Sequence, residues 1–302
     1  MARLFYCVVC PACLAFNLGK LKQFLGVLGL LDQISHYCSA NVFLSLIQRK
    51  EFWLTSLTSS NDRAEGRWML DNWLDGLTDE HDMTAERVGA IRGNAQAALN
   101  ENYALGICFS EESDLLSQWR AYSDDATGFS VTFNREMLQR RYARADFLAS
   151  PALIQIAYGA AHSPQVARAD QWLRLAFFDD AADCQIDNNV TQFLEAEFSS
   201  DLSQRRRLAA ALLFSIKSPA FCEEKEWRIL HYSSLNALRN VEFREHKTVI
   251  SPYVRLPFER EAIIGVTLGP CNDTPEDVVE ALLKANGVHA WVRKSAASYV
   301  SR

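Results

Sequence analysis

The spacing of apolar and polar positions changes period several times along the chain, and each change marks an element. Regular patterning begins near Gln33. Ile34-Ser35-His36-Tyr37-Cys38 reads as a short strand. Ser39 then caps a helix whose apolar residues Val42, Phe43, Leu46 and Ile47 recur at three and four. Phe52-Trp53-Leu54-Thr55 reads as a second strand. A polar loop from Ser56 to Asn61 leads to helices over about 62–77 and 84–102, the second weakened by Gly89 and Gly93. Residues 105–109 and 129–133 alternate and read as strands. Between them Leu115, Leu116, Trp119 and Tyr122 make one face of a short helix. A strand is expected over 152–158 and helices over 164–181 and 188–217. The end of the chain is β-rich, with strands over 224–232, 248–254 and 262–268, the last broken by Gly269-Pro270. Thr274-Pro275-Glu276 opens a helix, and 288–292 is a final strand.

Strands thus cluster at both ends around a helical block at about 160–220. That is an α+β pattern with mixed or antiparallel sheets, not alternating βαβ units. No repeat occurs at a period of 20–50 residues, which removes solenoids and propellers. Residues 1–31 read as an apolar extension to which the sequence assigns no role. Residues 32–302 read as a single α+β domain carrying the helical block as an insertion.

Composition narrows the function classes. At 302 residues, 49% hydrophobic and 23% charged, the chain can bury a full core. Lys+Arg 31 against Asp+Glu 37 gives a net charge of −6, with no global drive toward nucleic acid or an anionic membrane. The run Arg205-Arg206-Arg207 reads as a solvated helix face. The apolar stretch from Leu4 to Phe16 is too short to span a bilayer, and no A-x-A-like site follows it. No membrane span and a cytoplasmic location are expected. Cys7, Cys10 and Cys13 form C-x2-C-x2-C but lack a partner ligand pair, so no metal is expected. The remaining cysteines, such as Cys108, sit mostly in apolar runs and read as reduced thiols.

Several residues carry candidate chemistry. On a strand, Glu224, Glu226, Arg228 and Leu230 share one face, and Lys225, Trp227 and Ile229 the other. Two carboxylates and a guanidinium then project together, and their mutual field splits the carboxylate pKa values. The bland alternative is a half-exposed strand with cross-strand ion pairs. His36-Tyr37 lies on the first strand. Asp62 and Glu65 share a helix face, with Asn61 as a possible cap. Phe109-Ser110-Glu111-Glu112 ends a strand in acids. Trp119 and Tyr122 form a pair that either fills core or stacks a planar ligand. Walker A, G-x-G-x-x-G, H-E-x-x-H and G-x-S-x-G patterns are absent.

His36-Tyr37-x-Ser39, Phe52-Trp53-Leu54-Thr55 and Asn61-Asp62-x-x-Glu65 resemble the opening of an uncharacterised bacterial family catalogued as DUF 2971. Cys108-Phe109-Ser110, Gln118-Trp119-x-x-Tyr122 with Gly128-Phe129, Glu224-Lys225-Glu226-Trp227-Arg228 and Gly269-Pro270 resemble its later motifs. The resemblance runs in order over about 33–299. Its layout is similar in turn to the ADP-ribosyltransferase superfamily, where an early strand offers His or Arg and a late strand carries a catalytic Glu, often in Glu-x-Glu. Glu224-Lys225-Glu226-Trp227 matches that late motif and His36 the early position. Phe109-Ser110 matches the middle one loosely, without a full Ser-Thr-Ser.

That similarity implies an NAD-consuming transferase or glycohydrolase, with a defence (phage defence) or toxin role. NAD would be substrate. Glu226 would face the oxocarbenium-like state, and His36 would orient the adenosine ribose or the amide. Tyr37, Trp119 or Tyr122 would stack a ring, and Arg228 would pair pyrophosphate or hold Glu226. The acceptor could be protein, nucleic acid or water. Two alternatives stand beside it. One is a metal-dependent nuclease or phosphodiesterase using Asp62, Glu65, Glu224 and Glu226. The other is a non-enzymatic binding or sensor module. The first reading requires His36 and Glu226 to face one cleft.

Overall fold

One ten-stranded sheet organises the chain, and the way its third strand is shared decides where a site forms. The computed structural model describes residues 32–59, 65–78, 83–142, 150–159, 164–178, 202–246 and 249–300. The N-terminal extension with its three cysteines lies outside them, as do Asn61, Asp62 and the middle of the helical block.

The elements follow in order as β1 (Gln33–Cys38), α1 (Ala40–Arg49), β2 (Glu51–Ser56), α2 (Trp68–Leu77), α3 (Ala85–Asn100), β3 (Tyr103–Ser110), α4 (Leu116–Tyr122), β4 (Phe129–Asn134) and α5 (Arg135–Arg141). Then come β5 (Ala152–Gln155), β6 (Ala157–Tyr158), α6 (Pro164–Phe177), α7 (Leu202–Leu213), β7 (Ile216–Lys217) and β8 (Glu226–Ser233). The chain ends with β9 (Val241–His246), β10 (Val249–Pro257), β11 (Ile263–Leu268), α8 (Glu276–Ala285) and β12 (Trp291–Lys294). The fold class is α+β with a mixed, mainly antiparallel sheet. Strand order is β12-β11-β4-β1-β3-β2-β10-β9, and β8 and then β5 branch from β3. Within this sheet, among the described residues, only the β11–β12 pairing is parallel.

Both flanks of the sheet are covered. Phe52, Phe109, Phe133 and Phe258 pack edge-on or stacked in one core with α1, α5 and α8. The opposite core lies between β8 and helices α2, α3, α6 and α7. Alternation along β8 sends Trp227 and Ile229 into the first core and Leu230 and Tyr232 into the second. The strand is therefore buried on both faces, which removes the alternative of a half-exposed strand.

Other expectations need correction. The strand expected over 152–158 breaks at Ile156 into β5 and β6, which join different sheets. β7, at the end of the helix expected over 188–217, pairs with β6. β9 and α5 carried no expectation. Among the described residues β9 is an edge strand that pairs only with β10, and its alternation is blunted by charges. Asn134 caps α5 directly from the end of β4, accepting from Met137 N at 3.0 Å, so no loop announces that helix.

Candidate functional site

β3 has two edges, and they are used differently. One pairs with β8 along its whole length, from Tyr103↔Ser233 to Ser110↔Glu226. The other is split: β1 holds it only at Ser35↔Ser110, and β2 only at Thr55↔Gly106 and Ser56↔Leu105. Between these anchors β1 and β2 part, and a cleft opens. Its volume is about 610 Å³, and His36, Ser39, Trp53, Thr55, Cys108 and Tyr122 are among its walls. A recess of about 50 Å³ adjoins it and shares His36, Tyr37, Cys108 and Tyr122. Glu224 and Glu226 line that recess too, with Ser35, Phe109 and Gln118.

His36 occupies the parting point. Its Nδ1 lies 2.8 Å from the Cys108 carbonyl, which can only accept. Nδ1 therefore carries the proton, and in the neutral ring Nε2 is left as an acceptor. Burial lowers the His36 pKa, and the bond to Cys108 offsets this only in part. The ring of Phe109 supports His36 edge-on at 5.9 Å.

A chain of charges forms the wall opposite. Arg228 is only 1% exposed and lies between two carboxylates. Its Nε and Nη2 donate to Glu226 at 2.5 and 3.0 Å, and its Nη1 and Nη2 donate to Glu65 at 2.6 and 3.1 Å. Nη1 also donates to the Phe214 carbonyl at 2.9 Å. Lys217 Nζ bridges Glu226 at 2.9 Å and Glu224 at 2.7 Å. Tyr122 Oη donates to Glu224 at 3.3 Å. Burial alone would raise the Glu226 pKa, but Arg228 and then Lys217 outweigh it and hold the carboxyl down to about 2. Glu65 goes the other way: burial raises it despite Arg228. The Cys108 thiol, hydrogen-bonded to Glu226, is pushed well up by burial and by that charge.

Local sequence explains these positions. Glu224 is not on the strand but ends a 3-10 helix, Pro219–Glu224, and Lys225 follows in the left-handed region at φ 42°. That turn, rather than strand alternation, brings Glu224 and Glu226 to one lysine. Ser110 is fully buried and donates to the Glu224 carbonyl at 2.7 Å, so it fixes the turn. Glu65 is delivered by Gly66, whose φ is +72° and whose missing side chain makes room for the Phe214 ring.

The aromatic candidates separate. Trp119 is 0% exposed, and its indole N–H donates to Asp114 at 2.7 Å. Tyr37 packs edge-on against it at 4.8 Å, donates to the Glu112 carbonyl and accepts from Leu115 N, both at 2.8 Å. Both are framework. Tyr122, 39% exposed, is the one whose ring borders both cavities with area to spare. Ser39 borders the cleft while it caps α1. Arg228 has every guanidinium nitrogen engaged within the protein, so of its two expected roles it takes the holding one.

Lys217 was not anticipated. A lysine between Ile216 and Ser218 gives no periodic signal, and only its burial among carboxylates reveals it. In the sequence Trp53 stands out only as a strand residue. The alternation that sends Phe52 and Leu54 to the core already places it on the opposite face.

Glu65, Glu224 and Glu226 are each tied to Arg228 or Lys217. Among the described residues no group of three His, Cys, Asp or Glu is arranged to hold a metal ion. None of the helices among them is long and apolar enough to cross a membrane.

The family model described as "Protein of unknown function (DUF2971)" matches residues 118–229. The resemblance to that family therefore holds over a span containing Trp119, Tyr122 and the Glu224–Arg228 segment. The motifs around His36, Trp53 and Glu65 lie before it. No curated protein and no solved structure matches the chain.

Proposed function

We propose that the cleft binds an NAD-type dinucleotide and that the recess cleaves its nicotinamide–ribose bond, passing ADP-ribose to an acceptor or to water. The supporting observation is that His36 on β1 and Glu226 on β8 line the same recess although they are remote in sequence. Glu65, Glu224 and Glu226 face two cations, Lys217 and Arg228, which leaves one net negative formal charge. That sign favours a developing oxocarbenium ion. The depressed pKa of Glu226 keeps it ionised at neutral pH. His36, neutral with its acceptor nitrogen available, suits a ribose hydroxyl or a carboxamide N–H. Tyr122 offers the ring face for nicotinamide.

A metal-dependent phosphodiesterase is less well supported, because the recess carboxylates already have cationic partners and would have to release them. The deciding test is incubation with NAD, scoring nicotinamide release with and without EDTA. Release that resists EDTA and falls about 10²–10³-fold in Glu226→Gln supports the reading. No release, or release abolished by EDTA, overturns it.

A further inference from the structure

Arg228 lacks donors for a phosphate, yet the same cleft holds another arginine in the opposite condition. Arg244 on β9 borders the cleft with Trp53, Glu245 and Ser251. Its guanidinium carbon stands 5.7 Å from the centre of the Trp53 ring. Its Nε is buried without a hydrogen-bond partner, and among the described residues Arg244 makes no ion pair. The adjacent Arg255 also has an unpartnered buried Nε but differs in its terminal nitrogens. It stands 5.9 Å from the same ring, but its Nη2 is 2.7 Å from Glu242 and its Nη1 is 3.7 Å from Glu51. Arg49, at 6.0 Å, adds a third cation around the indole.

The platform is rigid. Trp53 stacks on Tyr253 at 4.8 Å and 28°, and β2 and β10 are paired through Trp53↔Arg255 and Thr55↔Tyr253. An arginine lying over such a ring loses little freedom when its donors are taken up. Burial lowers the Arg244 pKa, which marks a cation short of a countercharge. Glu245, exposed on the same strand, also borders the cleft, but among the described residues it forms no ion pair with Arg244.

We propose that Arg244, held over Trp53, is the phosphate subsite of the cleft and takes a phosphate or pyrophosphate group of a nucleotide. This rests on the reading of the cleft as a dinucleotide site and supplies what Arg228 cannot. The planar guanidinium matches two phosphate oxygens, and its donors are not competed for by a carboxylate.

Calorimetric titration of the full chain with ADP, inorganic pyrophosphate and adenosine tests it. ADP and pyrophosphate should bind the wild type, more weakly at high salt. Arg244→Gln, which keeps a polar stem, should weaken both roughly 10- to 100-fold and leave adenosine unchanged. Arg244→Lys should fall between, and the melting temperature of each variant checks the fold. Equal ADP binding by wild type and Arg244→Gln, or none by the wild type, overturns the subsite. Arg244-dependent ADP binding without nicotinamide release would sink the cleavage reading and leave the subsite standing. Nicotinamide release with ADP binding indifferent to Arg244 would do the reverse.

Discussion

His36 Nδ1 donates to the Cys108 carbonyl at 2.8 Å, at the place where β1 and β2 separate from β3. The bond answers a problem set by the topology. A central strand that loses its neighbour leaves backbone groups facing a cleft, and a buried carbonyl without a partner is costly. A side chain from the departing strand takes the place of the missing ladder bond, so one residue both stabilises the split and lines the site it creates.

This gives His36 a predictable pH signature. Its folded pKa is lowered, so the folded state resists a proton that the unfolded chain accepts near 6.5. The stability is present above about 6.5 and is lost as pH falls below it. His231 is lowered as well, by burial and then Arg207, and adds to the same slope. Asn at position 36 keeps a donor for the Cys108 carbonyl but cannot titrate. His36→Asn should therefore flatten the fall in urea midpoint between about pH 8 and 5.5, while His36→Ala should cost about 1–3 kcal/mol at pH 8. An unchanged slope in His36→Asn would show that this ring is not the titrating group.

The two carboxylates on Arg228 should respond to acid in opposite senses. Glu226 has a folded pKa of about 2, so its contribution is full above the ordinary value of 4.5 and is lost as pH falls toward 2. Its size is on the order of 3 kcal/mol. Glu65 has a raised folded pKa, so the folded state takes its proton first and gains stability as pH falls. Acid titrations followed by circular dichroism should show a flatter acid limb in Glu226→Gln and a steeper one in Glu65→Gln. Limbs that move together would contradict the opposed assignment.

The fold was legible in the sequence where one face of an element decides its period. Phe52 and Leu54, Leu105 to Phe109, and Phe129 to Phe133 announce strands because alternate residues enter one core. β8 was placed nearly correctly, but Glu224 was drawn into it because a 3-10 turn carries no period. The site was half legible. His36, Glu65, Tyr122, Glu226 and Arg228 stand out by residue type, and all five reach the cleft or its network. Their division of labour was not legible, since Trp119 and Tyr122 look alike in sequence and differ only in which way α4 turns them. Lys217 and Arg244 were missed because the significance of a cation depends on which carboxylates lie beside it in space.

Tyr122 and Trp119 should therefore part company on substitution. Tyr122→Phe removes only the hydroxyl at Glu224, and Tyr122→Ala removes the ring bordering the cleft. Neither should cost more than about 1 kcal/mol, because the side chain is partly exposed. Tyr122→Ala should weaken NAD binding, read by calorimetry. Trp119→Ala should cost about 3–5 kcal/mol, since it empties the core around Tyr37 and removes one of the three donors on Asp114, which keeps Ser295 and Ala296. Equal loss of stability in the two alanine variants would refute the division.

Lys217 offers the strictest test of the charge chain. Its ammonium is 2.7 Å from Glu224 and 2.9 Å from Glu226, and all three side chains are buried. Burial alone would lower the lysine pKa, yet the two carboxylates raise it, so the charged form is the one the fold selects. Lys217→Met keeps the length and removes the charge. Glu65, Glu224 and Glu226 are then left with only Arg228 to balance them, and removing one partner of a buried ion pair costs about 3–5 kcal/mol. Glu224→Gln relieves the repulsion by removing one carboxylate, so the double variant Lys217→Met with Glu224→Gln should recover part of the loss. The coupling energy from that cycle should be about 1–3 kcal/mol. Additive losses would mean that Lys217 and Glu224 act independently, and the recess would then owe its charge balance to Arg228 alone.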